Sequence, residues 1–131
     1  MNEAFTQVVL VVEDEPLILE LLHTTLEEAG FKTILAHDDD EAFAALESDR
    51  ARNLTGLVTD VNLCRPRTGW DIATRARELN PGLPVVYMSG DSGHDWTSRG
   101  VPHSTLVEKP FAPAQIVVAL ASLANKTDSE A

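Results

Sequence analysis

The chain is poor in cysteine, poor in positive charge and without a long apolar run. Cys64 is the one cysteine in 131 residues, so no internal disulfide can form, and the composition fits a reducing, cytoplasmic setting. Lysine and arginine number 10 against 21 acidic residues, for a net charge of −11. That balance argues against direct, non-specific nucleic-acid binding by this chain alone. No stretch approaches the roughly 20 apolar residues of a membrane span, and no charged segment followed by an apolar one marks a signal peptide, so no membrane insertion is expected. There is no P-loop, no GxGxxG and no zinc-type Cys/His spacing. His23, His37, His94 and His103 are scattered, with no pair at helical ligand spacing. Internal repeats, low-complexity segments and linkers are also missing.

What remains is an ordinary globular composition, 44% hydrophobic and 24% charged, in a length that suits one domain with a real core. Residues 1–125 are expected to form that domain and 126–131 a polar C-terminal tail. Short apolar runs without alternation, such as Val8–Val12, Leu57–Thr59 and Pro84–Met88, read as strands buried on both faces. Phe31–Ala36 reads as a more polar edge strand, and Thr105–Glu108 as a fifth strand. Between them lie helical patterns. Pro16 opens the first, which runs to Ala29 and closes at Gly30. Asp38, Asp39 and Asp40 cap a second that runs to about Arg50, with Asp38–Glu41 expected to be solvated. Trp70 to Leu79 marks a third, and Pro113 to about Ala124 the last. Residues 90–100 hold Gly90, Gly93 and Gly100 with few apolar side chains, so any helix there is short. Five strand–helix units in succession imply right-handed crossovers and an open parallel sheet. The expected fold class is α/β, flavodoxin-like, with strand order 2-1-3-4-5 and helices on both faces.

In such sheets ligands bind outside the carboxyl ends of the strands. Those ends carry Glu13 and Asp14, Asp60, Ser89 and Lys109, which should converge. Carboxylates packed together must take up protons or bind a cation, and hard oxygen donors suit Mg²⁺. Asp60 can both hold metal and expose an oxygen as a phosphoryl acceptor. Lys109 and a cation would then stabilise charge on the transferring group, Ser89 could donate a hydrogen bond to it, and Gly90 leaves room above. Each residue also has a plainer reading. Asp14 and Glu15 can cap a helix, Ser89 can be a turn residue, and Lys109 alone can be a surface lysine. Trp96 can be a packing residue or a partner contact, and Cys64 a loop residue or a redox sensor.

Four segments in order, Val12–Glu15, Thr59–Asn62, Met88–Gly90 and Glu108–Phe111, make the chain similar to the receiver domain of bacterial two-component response regulators, over about residues 6–124. The resemblance implies that Asp60 is the phosphoacceptor, that Glu13 and Asp14 are the acidic metal pair, and that the backbone carbonyl of Asn62 completes the Mg²⁺ shell. It implies Ser89 as the switch hydroxyl, Lys109 as the phosphate-pairing lysine, and a cis bond before Pro110, which X–Pro bonds tolerate. It also implies a sensor histidine kinase or histidine phosphotransfer protein as donor and an unknown downstream protein target. The family's switch aromatic falls at Leu106, so that device is missing here, and the loop after Asp60 is longer than common. The early start and short tail suggest a stand-alone receiver, monomeric or dimeric. Rival readings are an unphosphorylated adaptor of the same fold, a phosphate sink, and a Mg²⁺-dependent phosphohydrolase. Asn62, standing where such hydrolases often carry a second Asp, speaks against the last.

Overall fold

The computed structural model describes residues 7–63, 65–90 and 93–130; Cys64 lies outside the described residues. Five strands form one parallel sheet in the order β2-β1-β3-β4-β5. They are β1 (Gln7–Val12), β2 (Phe31–Ala36), β3 (Leu54–Asp60), β4 (Val85–Ser89) and β5 (Ser104–Glu108). The helices are α1 (Pro16–Glu28), α2 (Asp39–Leu46), α3 (Gly69–Leu79), α4 (Trp96–Arg99) and α5 (Pro113–Glu130).

Alternation along the strands builds two cores. Val9 and Val11 of β1, Val58 of β3, and Val86 and Met88 of β4 pack with Leu22 and Leu26 of α1 and Ile116, Leu120 and Leu123 of α5. Leu10, Val12, Leu57, Val85 and Tyr87 face the other way, toward Ala42 and Leu46 of α2 and Trp70, Ile72, Ala73 and Ala76 of α3. A strand covered on both faces has no need of polar positions, which is why its run is continuous. The outer strand β2 is mixed, as expected of an edge.

Helix ends follow local chemistry. Pro16 stands in the first turn of α1, and Gly30 after its end takes φ +99°, open to glycine at no steric cost. Asp38 accepts from the Glu41 amide to cap α2. Thr68 and Asp71 form a reciprocal capping box on α3.

Several expectations need correction. Leu17 and Leu21 belong to the helical pattern of α1 but are 82% and 48% exposed. The buried stripe is Leu22 and Leu26 with Ile18, one position around the helix. Helix α2 stops at Leu46, and a 3-10 turn, Asp49–Asn53, is capped by Ser48. The last helix runs to Glu130, past its expected end near Ala124; after Pro113 the sequence has no glycine or proline to end it. Asp39 is not solvated: it is 2% exposed and held by Arg65 and Arg67.

At the amino ends of β4 and β5, the Arg77 guanidinium donates to the carbonyls of Leu83, Pro102 and His103. Tyr87, fully buried against Trp70 with ring centroids 4.6 Å apart, accepts at its hydroxyl from the Val101 amide, 3.0 Å away. These contacts hold the segment between α4 and β5.

Candidate functional site

The carboxyl ends of β1, β3, β4 and β5 bring the expected residues to one patch. Glu13 directly follows β1, and its amide donates to the Ala36 carbonyl at the end of β2. Asp60 ends β3. Ser89 ends β4, and its carbonyl accepts from the Lys109 amide at 2.8 Å, fixing β5's exit. The Lys109–Pro110 peptide is cis.

Lys109 is the hub. Its ammonium donates to Asp60 Oδ2 at 2.8 Å and to Glu13 Oε1 at 3.1 Å. The remaining oxygens are held by backbone: the Asn62 amide donates to Asp60 Oδ1 at 3.0 Å, and the Glu15 amide to Glu13 Oε2 at 3.0 Å. Glu13 is wholly buried, Asp60 is 4% exposed and Ser89 is 1% exposed. Asp14 is less buried, and a carboxylate oxygen from each of Glu13, Asp14 and Asp60 falls within 4.8 Å of the others.

The electrostatics are unbalanced. Three carboxylates face one ammonium. Burial and the neighbouring Asp60 charge push the Glu13 carboxyl up to about 7. Burial pushes Asp60 up as well; Lys109 and the Asn62 amide pull it back only in part. Burial works against the Lys109 charge, but Asp60 and Glu13 outweigh it and hold the ammonium above the ordinary lysine range. Two carboxyls raised chiefly by burial, despite an ion pair, mark a site where negative charge is penalised and a cation would relieve the penalty. Its donors are all hard oxygens, so the residues present fit a small divalent cation such as Mg²⁺.

The loop after Asp60 is tightly seated. The Gly69 amide donates to the Val61 carbonyl at 2.9 Å, and a Cβ at Gly69 would lie 2.2 Å from the Asp60 carbonyl oxygen. Only glycine allows α3 to begin this close to β3. Among the described residues nothing lies within 4 Å of where a Cβ at Gly90 would be. Leu106 pairs in register with Tyr87 and is partly buried against the α2/α3-side core, with no aromatic ring at that position. It lines an open depression with Trp96, Lys109, Pro110 and Gln115.

Three parts of the neighbourhood were not singled out by sequence reasoning: Gly69 against Asp60, the Tyr87 hydroxyl, and the arginines of the loop. The Arg–Pro–Arg–Thr–Gly run at 65–69 was a signal for the last, since two arginines in an acidic chain want acidic partners.

The comparisons with known proteins agree with this geometry. The family model described as response regulator receiver domain matches residues 9–121. The "Probable transcriptional regulatory protein TcrX" of Mycobacterium tuberculosis is 31% identical over 121 residues, which is 91% of this chain and 50% of that protein. The "Phosphate regulon transcriptional regulatory protein PhoB" of Pseudomonas aeruginosa is 30% identical over 131 residues, covering 94% of this chain and 55% of that protein. The chain thus spans about half the length of the curated relatives it matches. A crystal structure of a response regulator receiver protein from Sinorhizobium medicae superposes with a TM-score of 0.89 at 36% identity, covering 95% of this chain and 99% of that one. With its parallel 2-1-3-4-5 sheet and its acidic cluster at the strand ends, this chain belongs to the response regulator receiver domain family.

Proposed function

We propose that the chain is a phosphorylation-controlled switch in which Asp60 accepts a phosphoryl group from a phosphohistidine on a sensor histidine kinase or histidine phosphotransfer protein. The observation that carries this is the position of Asp60: a buried carboxylate bonded at one oxygen to Lys109 and at the other to the Asn62 amide, with Glu13 and Asp14 beside it. A carboxylate oxygen attacks phosphorus, the O–P bond forms, the N–P bond breaks, and the leaving imidazole keeps the electron pair and takes a proton. Glu13, Asp14, Asp60 and the backbone carbonyl of Asn62 are the groups that would hold Mg²⁺. When bound, Mg²⁺ neutralises charge on the transferring group and offsets the repulsion among the carboxylates.

This chain's own residues do the rest. Lys109 releases its bond to Asp60 as that carboxylate becomes an acyl phosphate and pairs with the phosphoryl oxygens, a charge-assisted contact. Ser89, buried at the end of β4, would supply a hydroxyl to the phosphoryl group. The incoming phosphoryl group adds negative charge where two carboxyls are already raised, so the loops after β3 and β4 rearrange and alter a surface for a downstream protein target. Moving that equilibrium from 1:99 to 99:1 takes about 5.5 kcal/mol of preference, well within reach of several charge-assisted bonds. The proposed donor implies a cytoplasmic setting; separately, no helix among the described residues is long and apolar enough to cross a membrane.

The test is intact-mass spectrometry after incubation with acetyl phosphate, with and without Mg²⁺, beside Asp60→Asn. A single phosphoryl adduct that requires Mg²⁺ and disappears in the variant is the expected result. If neither acetyl phosphate nor a cognate kinase yields an adduct, the chain is an unphosphorylated adaptor instead.

A further inference from the structure

Arg65 and Arg67 each bond both Asp39 and Asp40. Arg65 Nε lies 2.8 Å from Asp39 Oδ1, and its Nη2 2.7 Å from Asp40 Oδ2. Arg67 Nε lies 3.1 Å from Asp39 Oδ2, and its Nη2 2.7 Å from Asp40 Oδ1. The four side chains close a ring that joins the first turn of α2 to the loop following Asp60. The Arg67 guanidinium also stacks 4.0 Å over the Phe43 ring of the same helix.

An isolated surface ion pair does little, but this ring differs in two ways. Each guanidinium uses two nitrogens, one on Asp39 and one on Asp40, so four charge-assisted bonds act together as a network. Asp39 is also buried. Burial works against its charge, yet the two arginines outweigh that and hold its carboxyl down at about 2. The acidic pair stands at the start of a helix, where negative charge is favoured. The ring is therefore closed across the whole physiological pH range.

What it holds follows from the chain. Three residues reach no more than about 11 Å, so fixing Arg65 restricts Asn62, whose amide is bonded to Asp60 Oδ1. Beside Asn62, Leu63 is buried in the core. Farther on, Thr68 caps α3. The ring lies between these two anchors.

We propose that Asp39 is a positioning residue for the Asp60 site: through Arg65 and Arg67 it sets the placement of the Asn62 backbone, and so how tightly the site holds a divalent cation and how fast Asp60 is phosphorylated at limiting cation. The inference rests on the function proposed above. Asp39 touches none of the reacting atoms; it acts through the loop.

The experiment compares wild type with Asp39→Asn, with the double variant Arg65→Gln/Arg67→Gln, and with Arg65→Lys/Arg67→Lys. Mg²⁺ alone is titrated while the Asn62 amide is followed by NMR, melting temperature is measured in parallel, and adduct formation from acetyl phosphate is timed at low and saturating Mg²⁺. The Kd for Mg²⁺ should rise about tenfold in the first two, the low end for groups that orient metal ligands. The rate defect should appear at low Mg²⁺ and vanish at saturation. The lysine pair keeps the charge but loses the fork, and should recover only part of the affinity. Should Asp39→Asn fail to fold, the glutamine pair carries the test, since both arginines are 40% exposed. A Kd within about twofold of wild type in variants that merely melt lower overturns the proposal and leaves Leu63 as sufficient anchor. Wild type that takes up neither Mg²⁺ nor a phosphoryl group is a different failure: it removes the proposed function itself, and the positioning role with it.

Discussion

Lys109 reaches Asp60 across a strand that lies between them: its ammonium is 2.8 Å from Asp60 Oδ2, although β4 separates β5 from β3. The same ammonium meets Glu13, just past the end of β1. One flexible side chain thus ties together the ends of three strands, β1, β3 and β5, and its loss has a calculable effect.

Lys109→Met keeps the apolar stem and removes the cation. Breaking a buried pair in this way costs about 3 kcal/mol, because Asp60 and Glu13 are left buried with like charge. The loss should be full at pH 8 and recover toward pH 5 as the carboxyls protonate. Urea unfolding at the two pH values measures it, and an equal loss at both would show that packing rather than charge is responsible.

Glu13 makes the opposite contribution. Its folded pKa of about 7 stands above the ordinary 4.5, so the folded state binds protons more tightly than the unfolded one. The stability this gives is complete below pH 4.5 and is lost as pH rises through 7. Glu13→Gln should therefore stabilise the cation-free protein by up to about 3 kcal/mol at pH 8 and by little at pH 4. Metal affinity runs the other way, since the cation competes with that proton: in wild type the Kd for Mg²⁺ should fall about tenfold between pH 6 and pH 8. Calorimetric titration at both pH values decides this, and a flat profile would remove Glu13 from the cation site.

Gly69→Ala tests the loop. The added methyl lies on the Asp60 carbonyl oxygen, a backbone atom in a central strand that cannot step aside. Destabilisation of about 3 kcal/mol or more is expected, beyond ordinary overpacking, with slower adduct formation on Asp60. Gly90→Ala is the control. Its methyl meets nothing among the described residues, so its stability should change by less than about 0.5 kcal/mol.

With leucine at position 106, the segment after β4 should carry the response to phosphorylation. Amide shifts on forming the adduct are expected across Gly90–Arg99 and at Val101, whose N–H bonds the Tyr87 hydroxyl. Tyr87→Phe leaves that N–H without its partner, should cost about 1–2 kcal/mol, and should weaken the shift at Val101. A spectrum in which residues 90–99 do not move on phosphorylation refutes this route.

Legibility in the sequence divided along the range of the interactions. β1, β3 and β4 were readable because both their faces are buried, and a doubly covered strand can only be apolar. The site was readable because each of its residues directly ends such a run. Local rules failed where polarity had a distant partner or none. Asp39 reads as a solvated cap until Arg65 and Arg67, 26 and 28 residues away, fold back onto it. The polar residues after Leu123 read as a tail, but nothing among them breaks a helix, and α5 runs on. Leu17 and Leu21 fit the helical period of α1 yet face outward, because period alone does not say which of two adjacent stripes meets the sheet. The placement of Gly69 on Asp60 was invisible for the same reason: close approach of two backbones leaves no trace except the glycine itself.

The Arg77 guanidinium, bonded to Leu83 just before β4 and to Pro102 and His103 just before β5, works as a fulcrum. It pins the amino ends of the two strands whose opposite ends bear Ser89 and Lys109. On the function proposed above, a change at the acidic patch is expected to displace β4 and β5 least at Arg77 and most at the ends that carry Ser89 and Lys109. The surface that a partner would read, on that proposal, then lies at the carboxyl ends of these strands and not at the amino ends that Arg77 holds.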